Sequence, residues 1–295
     1  YPHLVERYDH VIIGVGEESK TLQTVEYLYH ELMALGADRS TFILGIGGGI
    51  VTDVAGFVAA TYMRGVEFGF VSTTLLGQVD ASVGGKNGVN VEGYKNMVGT
   101  FTQPKFVICD VDLLRTLSPR EFRTGLAEII KAAVIADAEL FEMLEQADFS
   151  TLQRDSDTLR EMVYRAIKVK ADIVERDERE SGDRRLLNLG HTLAHAIEKS
   201  SSKFNHGEAV AVGLAMIAEV AANRDMLAVA DKERIVALLE RAGFALEPPV
   251  EVRTLLKAVK RDKKAEGDSI HVVFPLGVGN CCVEKMPIEE FKALV

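Results

Sequence analysis

The sequence predicts an α/β domain with a parallel sheet, followed by a mostly helical domain. In the first part of the chain, short apolar runs alternate with helical patterns, and strands that alternate with helices form parallel sheets covered by those helices. After Ser118-Pro119 almost every periodic segment has helical spacing. We therefore expect one domain over residues 1–119 and a second over residues 120–295.

The first domain contains four strand candidates and two helix candidates. The first helix covers residues 21–35, has Leu28 and Leu32 on its apolar side and ends before Gly36, since glycine commonly terminates helices. The second helix follows a triple glycine and continues to residue 60. Strands are predicted for residues 10–15, 41–46, 68–72 and 106–109.

The second domain is predicted to hold five helices and a single strand signal. Apolar residues recur there with the spacing of helices that are buried on one side. The predicted helices cover residues 121–146, 158–179, 186–199, 208–225 and 232–242, and the strand signal covers residues 270–274.

Composition argues against a nucleic-acid partner. The chain has 295 residues, of which 47% are hydrophobic and 26% charged, and its formal net charge is −10. A phosphate backbone selects basic surfaces, whereas an anionic small molecule needs only a local cluster of Lys and Arg. We therefore expect a small-molecule ligand and no nucleic acid.

Cysteine usage and hydropathy predict a cytoplasmic protein without membrane contact. The three cysteines, Cys109, Cys281 and Cys282, form neither a disulfide framework nor a CxxC metal motif. The longest apolar run, residues 209–218, is too short to span a bilayer. No signal peptide is visible, and because the chain begins without Met we expect its start to be missing.

A glycine loop lies between a predicted strand and a predicted helix, at Gly47-Gly48-Gly49. Glycine lets the backbone approach a ligand, and a helix N-terminus favours an anion such as a pyrophosphate. The loop lacks the GxGxxG pattern, so a dinucleotide site and a tight turn without a ligand both remain open. Asp53, in the first turn of the helix, also complements the helix dipole.

A polar stretch after residue 72 holds candidate ligands for an anion. It combines hydroxyls, an acid, a base and a glycine pair. Lys86, Lys95 and Asn96 form a donor set suited to a phosphorylated or carboxylated substrate. The alternative is a solvated surface loop.

Histidines are concentrated in one segment. His191, His195 and His206 are three of the seven histidines and lie within sixteen residues. The first two are four apart, which places both imidazoles on one face of a helix. Histidine is the commonest metal ligand among side chains and a natural acid or base near neutral pH, so the segment predicts metal-assisted proton transfer.

Glu128 and Lys131 lie three apart in an apolar helical segment. Such a pair is usually solvated, but the apolar neighbours favour a buried, functional pair. Catalytic zinc takes three protein ligands and keeps one open position. We therefore expect Glu128, His191 and His206 to hold a metal ion, which leaves His195 as a base.

Further polar side chains are candidates for substrate contacts. Each alone would be a surface group, but together with Lys86 and Lys131 they would surround a phosphate and a carboxylate. They are Lys170, Arg184, Asn188, Lys263 and Lys264.

These motifs together resemble the 3-dehydroquinate synthase family of sugar-phosphate cyclases. The resemblance runs in order from Gly16 to about Lys264. Its specific parts are Ser82-Val83-Gly84-Gly85-Lys86, Asn188-Leu189-Gly190-His191 and His206-Gly207-Glu208. The triple glycine alone is unspecific.

The resemblance implies an N-terminal Rossmann-like, NAD-binding domain and a helical domain that binds metal and substrate. It implies bound NAD, one divalent metal ion (zinc or cobalt), a homodimer and a step of the shikimate pathway. In that step 3-deoxy-D-arabino-heptulosonate 7-phosphate becomes 3-dehydroquinate and phosphate. NAD transiently oxidises a ring hydroxyl, phosphate is eliminated, the ketone is reduced again, and ring opening and an intramolecular aldol step close the carbocycle.

The resemblance also implies roles for individual residues. Glu128, His191 and His206 match the metal ligands, and Glu180 and His195 match the proton acceptors. The catalytic set further includes Lys86, Lys131 and Arg184. Positions that match NAD contacts are Glu17, Lys20, Gly48, Gly49, Asp53, Thr73, Thr74, Asp80, Lys86, Lys95 and Thr116. Positions that match substrate contacts are Arg64, Asp80, Lys86, Lys95, Asn96, Lys131, Lys170, Arg184, Asn188, His195 and one of Lys263 and Lys264.

The chain departs from the family pattern at its beginning. In the family, tens of residues precede the equivalent of Gly16-Glu17, and some of them contact the adenosine half of NAD. Here only residues 1–15 precede Gly16. Either the chain is a piece of a longer protein or its NAD binding is altered. Thr52 and Gly77, where Gly and Ala are expected, are mild changes.

Three alternatives stay open at this point. Another sugar-phosphate cyclase, such as a 2-deoxy-scyllo-inosose or an epi-valiolone synthase, shares the NAD and metal machinery, but Arg184, Asn188 and the Lys263-Lys264 pair favour a carboxylated substrate. An NAD- and metal-dependent polyol dehydrogenase would release NADH. A non-catalytic NAD- or metal-sensing scaffold has no need of a base such as His195.

Overall fold

The chain divides into two compact units, Tyr1–Leu113 and Leu114–Val295. The computed structural model describes residues 2–259 and 268–295. The division lies within the 3₁₀ turn Val111–Thr116, a few residues before Pro119. Among the described residues, no helix combines the length and the apolar character needed to cross a membrane.

The first unit is built on a three-stranded parallel sheet, in which its first, second and fifth strands lie in that order. Its elements are α1 (Pro2–Arg7), α2 (Leu22–Ala34), β1 (Phe42–Gly47), α3 (Gly49–Thr61), β2 (Glu67–Ser72), β3 (Lys86–Val91), β4 (Tyr94–Phe101) and β5 (Val107–Ile108). Strand β1 pairs with β2 from Phe42 opposite Glu67 to Gly47 opposite Ser72. The parallel sheet with covering helices confirms the predicted α/β class.

Helix α3 carries much of the core of the first unit. Val54 and Val58, one turn apart, are 0% and 2% exposed and pack with Val25 and Val89. Because the helix begins directly at the carboxyl end of β1, its N-terminus and the end of the strand share one edge of the sheet. This edge holds the glycine loop.

In the first unit one prediction is wrong and one pair of strands was missed. Residues 10–15 form no strand; Ile12 and Val15 are largely exposed, so this apolar run lacks the neighbouring strand that would bury it. The antiparallel hairpin of β3 and β4 was not predicted. Its turn uses Glu92 and Gly93 with φ of 48° and 79°, the left-handed pair of a tight hairpin turn, in place of the usual Asn-Gly.

The second unit is mostly helical, as predicted. Its elements are α4 (Pro119–Ala136), α5 (Ala138–Gln146), α6 (Ser156–Arg176), α7 (His191–Ser200), α8 (His206–Asn223), α9 (Val229–Arg241), α10 (Val252–Val259), β6 (Ser269–Gly277), β7 (Asn280–Pro287) and α11 (Ile288–Leu294). Helix α4 is buried along most of its length and contacts α5, α6 and α8. It is therefore the central helix of the unit.

Some boundaries in the second unit differ from the prediction. The helix predicted over residues 121–146 is two helices, because the Asp137 carboxylate caps α5 through the backbone N–H of Leu140 at 2.9 Å. The helix predicted from residue 186 begins only at His191, since Gly190 adopts a φ of 76°. Strand β7 was not predicted; it forms a hairpin with β6.

Candidate metal centre and cofactor loop

Glu128, His191 and His206 form a compact group in the second unit. Each offers a ligand atom, and these atoms lie within 4.8 Å of one another. Glu128 Oε1 is 3.3 Å from His206 Nε2 and 3.6 Å from His191 Nε2. Two histidines and one carboxylate are a ligand set that catalytic zinc accepts, so the structure brings together the three predicted ligands.

Two glycines allow the three helices that carry these residues to approach closely. A Cβ on Gly190 would lie 2.9 Å from the backbone nitrogen of Leu214 in α8. A Cβ on Gly207 would lie 2.4 Å from Cα of Thr124 in α4. Backbone atoms cannot move aside as a flexible side chain can. Any larger residue at either position would therefore separate α8 from α7 or α4.

A capping box fixes His206 as the first residue of α8. Asn205 Oδ1 accepts a hydrogen bond from the backbone N–H of Glu208 at 2.9 Å, and Glu208 Oε2 accepts one from the backbone N–H of Asn205 at 2.9 Å. Arg120 donates to both carboxylate oxygens of Glu208, at 2.8 and 2.6 Å. The acid of the His-Gly-Glu motif thus positions the helix end.

The charges around Glu128 suit a cation. Burial would raise the pKa of Glu128, but Lys131 and His206 hold it at about 2. Burial would lower the pKa of His206, but Glu128 and Glu198 raise it to about 10. Glu128 Oε1 is buried and accepts no hydrogen bond from the described residues. A divalent cation would replace the proton on His206 and satisfy this oxygen, so the residues present fit a metal ion.

Each ligand histidine has an oxygen near its other ring nitrogen. His191 Nδ1 is 3.1 Å from the carbonyl oxygen of Leu189, and His206 Nδ1 is 3.7 Å from Glu198 Oε1. Such partners orient the imidazole so that Nε2 faces the metal. The sequence reasoning gave Glu198 no role, although its spacing from His191 (i, i+7) placed it on the same helix face.

His195 lies beside the centre but outside the three-residue group. Its ring is 5.7 Å from the ring of His191, centroid to centroid, and nearly perpendicular to it. The side chain is half-buried on α7. Its role as a proton acceptor stays a prediction.

Two of the predicted substrate-contacting residues, Lys131 and Arg184, are buried. Lys131 is 3% exposed and contacts Glu128, which excludes the solvated-pair alternative. Arg184 is 2% exposed and donates to the carbonyl oxygen of Glu178. Lys and Arg are almost never fully buried without a partner. The burial of both side chains therefore indicates that each has a structural or functional role.

The segment between α6 and α7 carries other predicted substrate residues. Asn188 Nδ2 donates to Glu180 Oε1 at 2.5 Å. The 3₁₀ turn Asp183–Asn188 contacts α4 and α6. Lys170 is half-buried on α6.

The glycine loop of the first unit lies where it was predicted, between β1 and α3. Gly48 precedes α3 and provides no side-chain cap, so the first N–H groups of the helix suit an anion. A Cβ on Gly48 would lie 2.8 Å from Thr74 Cγ2, and a Cβ on Gly49 would lie 2.9 Å from Ala81 Cβ. The backbone N–H of Thr73 donates to the carbonyl of Gly47 at 2.8 Å. Only small residues let these two segments lie so close.

Four predicted NAD-contacting residues form a second group in the first unit. Lys20, 5% exposed, forms an ion pair with Asp53. Burial and the charges of Asp80 and Glu17 together raise the pKa of Asp53 to about 6, although Lys20 lowers it. Glu17 Oε1 also accepts a hydrogen bond from Asn90 Nδ2 at 2.7 Å.

The remaining predicted residues are placed elsewhere. Lys86, Lys95 and Asn96 are exposed on the β3–β4 hairpin. Arg64 is exposed after α3, with a φ of 70°. Thr116 belongs to the second unit, unlike the other predicted NAD-contacting residues. Lys263 and Lys264 lie outside the described residues.

Two family models match the chain. The N-terminal domain of 3-dehydroquinate synthase matches residues 10–124, and the C-terminal domain matches residues 125–265. The chain belongs to the 3-dehydroquinate synthase family. A curated 3-dehydroquinate synthase of Pelobacter propionicus is 42% identical over 287 residues, which cover 96% of this chain and 80% of that protein.

Two solved structures show the same fold as this member of the 3-dehydroquinate synthase family. One is ValA, a 2-epi-5-epi-valiolone synthase from Streptomyces hygroscopicus with NAD⁺ and Zn²⁺ bound. Its TM-score is 0.91 at 28% identity, over 99% of this chain and 84% of that one. The other is a 2-deoxy-scyllo-inosose synthase with carbaglucose-6-phosphate, NAD⁺ and Co²⁺, at a TM-score of 0.84 and 27% identity over 97% and 82% of the two chains. Both support the predicted fold class.

Proposed function

We propose that the chain is a 3-dehydroquinate synthase, a phosphate-eliminating lyase of the shikimate pathway. It converts 3-deoxy-D-arabino-heptulosonate 7-phosphate to 3-dehydroquinate and phosphate in the cytoplasm, as a homodimer. The observation that carries the proposal is the Glu128–His191–His206 group, in which Glu128 and His191 are buried, in a chain that matches the family over residues 10–265.

The cofactors are NAD and one divalent metal ion, zinc or cobalt. Glu128, His191 and His206 would hold the metal ion, as the buried, unbonded Oε1 of Glu128 supports. The loop around Gly48 and Gly49 would hold the NAD, as its uncapped helix N-terminus and crowded backbone support. When bound, NAD supplies transient oxidation and re-reduction at one ring carbon, and the metal ion polarises the oxygen on that carbon.

The side chains of this chain bind the substrate and move its protons. His195, next to His191, accepts the proton of the reacting hydroxyl group. Glu180 is the second proton acceptor, and its Oε1 is oriented by Asn188. Each of these groups needs to reach the substrate within hydrogen-bond distance.

Positive side chains bind the two anionic groups of the substrate. Lys86, Lys131 and Arg184 stabilise the phosphate as it departs, because fixed positive charge is most effective where negative charge develops. The burial of Lys131 and Arg184 strengthens this interaction, since water screens buried charges less. Arg64, Lys95, Asn96, Lys170, Asn188 and one of Lys263 and Lys264 complete the binding set.

The test is phosphate release from 3-deoxy-D-arabino-heptulosonate 7-phosphate, with the absorbance of NADH followed in the same cuvette. We expect release that requires NAD and is abolished by a chelator, with no net NADH. Net formation of NADH would instead indicate a dehydrogenase.

Another sugar-phosphate cyclase is the second candidate, because the fold matches ValA at a TM-score of 0.91. The sequence identity of 42% to a 3-dehydroquinate synthase, against 28% to ValA, favours the first. The two candidate activities differ in their substrate: the second candidate would convert a phosphorylated sugar that has no carboxylate. Activity on such a sugar, with none on the carboxylated substrate, would establish the second candidate.

A further inference from the structure

The loop that joins α6 to α7 is folded around one carboxylate. We propose that Asp177 is a positioning residue that sets the main-chain path of this loop and so places Glu180 and Arg184 for the substrate. The roles of these two residues rest on the proposed function. Asp177 itself was given no role from the sequence.

Four hydrogen bonds converge on the Asp177 side chain. Oδ1 accepts from the backbone N–H and the hydroxyl of Ser181, at 3.0 and 3.1 Å. Oδ2 accepts from the backbone N–H of Gly182 at 2.6 Å and of Arg184 at 3.1 Å. Burial would raise the pKa of Asp177, but these donors hold it well below its usual range, so the carboxylate stays ionised at neutral pH.

The bonds to Asp177 enclose Glu180, which has an unusual backbone conformation. Its φ is 63°, a region that residues other than glycine rarely adopt. Such a conformation persists only where surrounding contacts fix it. The bonds from Ser181 and Gly182, directly after Glu180, are contacts of this kind. They direct Glu180 so that its Oε1 meets Asn188 Nδ2.

Arg184 is held both at its backbone and at its guanidinium group. Its backbone N–H is held by Asp177, and its guanidinium donates to the carbonyl oxygen of Glu178 in the same loop. A shift of the main chain at residue 184 would therefore move a buried guanidinium that has little room to compensate.

Two further contacts involve residues of this loop, but both join side chain to side chain and bind no backbone group. Arg176 Nε is 3.1 Å from Asp183 Oδ2, with both side chains more than half exposed. Arg185 Nη1 is 2.7 Å from His271 Nε2 on β6. Asp177 differs because three of its four bonds go to backbone N–H groups, and these bonds fix the main-chain path.

The test compares Asp177→Asn with Asp148→Asn. The first variant keeps the side-chain size but replaces one acceptor oxygen with a donor amide, so at least one loop N–H loses its partner. Asp148 is a matched control because its Oδ1 also accepts from a following N–H and hydroxyl, those of Ser150 at 2.9 and 2.6 Å. Its loop holds none of the predicted site residues.

We expect Asp177→Asn to lower kcat/KM by about 100-fold, with a raised KM, because displacing catalytic groups by about 1 Å has effects of this size. Bound metal and NAD affinity should stay unchanged. Hydrogen exchange should become at least about tenfold faster at the amides that lose the replaced oxygen, which are either Ser181 or Gly182 and Arg184. Ser181→Ala, which removes one bond, should reduce kcat/KM by less than about tenfold. Asp148→Asn should keep kcat/KM within about twofold of the wild type, as a surface change does.

Two results for Asp177→Asn would overturn the proposal: kcat/KM close to that of the wild type, or unchanged protection of all three amides, those of Ser181, Gly182 and Arg184. An equal loss in Asp148→Asn would also overturn it, by showing a general stability effect. A wild-type chain without synthase activity would refute the proposed function instead. Hydrogen exchange alone would then test whether Asp177 orders the loop. Faster amide exchange in Asp177→Asn would support that role.

Discussion

Each unit contains a buried lysine paired with a carboxylate, yet the two carboxylates are shifted in opposite directions. In the first unit, the Lys20–Asp53 pair leaves the pKa of Asp53 raised to about 6. In the second unit, the Lys131–Glu128 pair leaves the pKa of Glu128 lowered to about 2. Burial raises both values, so the difference comes from the other neighbours.

Those neighbours have opposite charge. Asp53 is close to the carboxylates of Asp80 and Glu17, whereas Glu128 is close to His206 as well as to its lysine. A single lysine therefore does not keep a buried carboxylate fully ionised; a second positive or donating group does. Glu128 is consequently suited to hold a cation. Asp53 is suited to form hydrogen bonds with a polar ligand.

Removing the negative charge of Glu128 should have the strongest effect on activity. Glu128→Gln should take bound metal from near one ion per chain to near zero and lower phosphate release by about 1,000-fold, the upper end of the range for removing electrostatic stabilisation. Metal analysis of the purified protein checks this. Asp53→Asn is the matched control and should keep its metal. A Glu128→Gln protein with full metal would refute the ligand assignment.

His195→Ala separates the metal from the proton acceptor beside it. We expect turnover to fall by about 100-fold, in the range for general acid–base catalysis, while the metal content stays that of the wild type. Metal content and kcat are measured on one preparation. Loss of metal in this variant would mean that ligand and base were exchanged in our assignment.

Gly48→Ala tests the first unit, where the backbone rather than a side chain forms the site. The added Cβ would lie 2.8 Å from Thr74 Cγ2, so we expect NAD affinity to fall about tenfold as the loop shifts. Metal binding in the second unit should not change. Titration with NAD by calorimetry measures the loss.

A double variant and a control sharpen this prediction. Gly48→Ala with Thr74→Ser removes the clashing methyl group and should recover part of the affinity. Gly277→Ala, whose Cβ would meet its nearest neighbour at 3.6 Å, should bind NAD like the wild type. No recovery in the double variant would show that the loop does not act through this contact.

The last prediction concerns the pH dependence of stability, which can be measured without substrate or NAD. The pKa of Asp53 in the folded chain, about 6, exceeds its ordinary value of 3.8. Its contribution to the free energy of unfolding is therefore fully present below about pH 4 and lost as the pH rises through 6. Asp53→Asn does not titrate, so the wild type minus variant difference should fall by at most about 3 kcal/mol over this window. Urea unfolding between pH 4 and 7 measures it, and a difference that rises with pH would contradict the account.

The sequence predicts side-chain sites better than main-chain paths in this chain. That Glu128, His191 and His206 come together is predictable because the histidines are concentrated in one segment and catalytic zinc takes three protein ligands. Glu198 was within reach of the same argument, since it shares a face of α7 with His191 and His195.

The parts that escaped prediction depend on backbone conformation or on contacts across a loop. The β3–β4 hairpin needs Glu92 in a left-handed conformation, which its residue type does not indicate. The four bonds to Asp177 join residues whose closeness arises only once the loop has folded. No periodicity marks either feature.

The most direct test of the central claim is a titration of the metal-free chain with Zn²⁺, with bound metal and phosphate release measured on the same samples. We expect phosphate release from 3-deoxy-D-arabino-heptulosonate 7-phosphate, in the presence of NAD, to rise linearly and to stop rising at one ion per chain. Glu128→Gln should show neither binding nor release. Full phosphate release before any Zn²⁺ is added, or a wild-type curve unchanged by Glu128→Gln, would contradict the account.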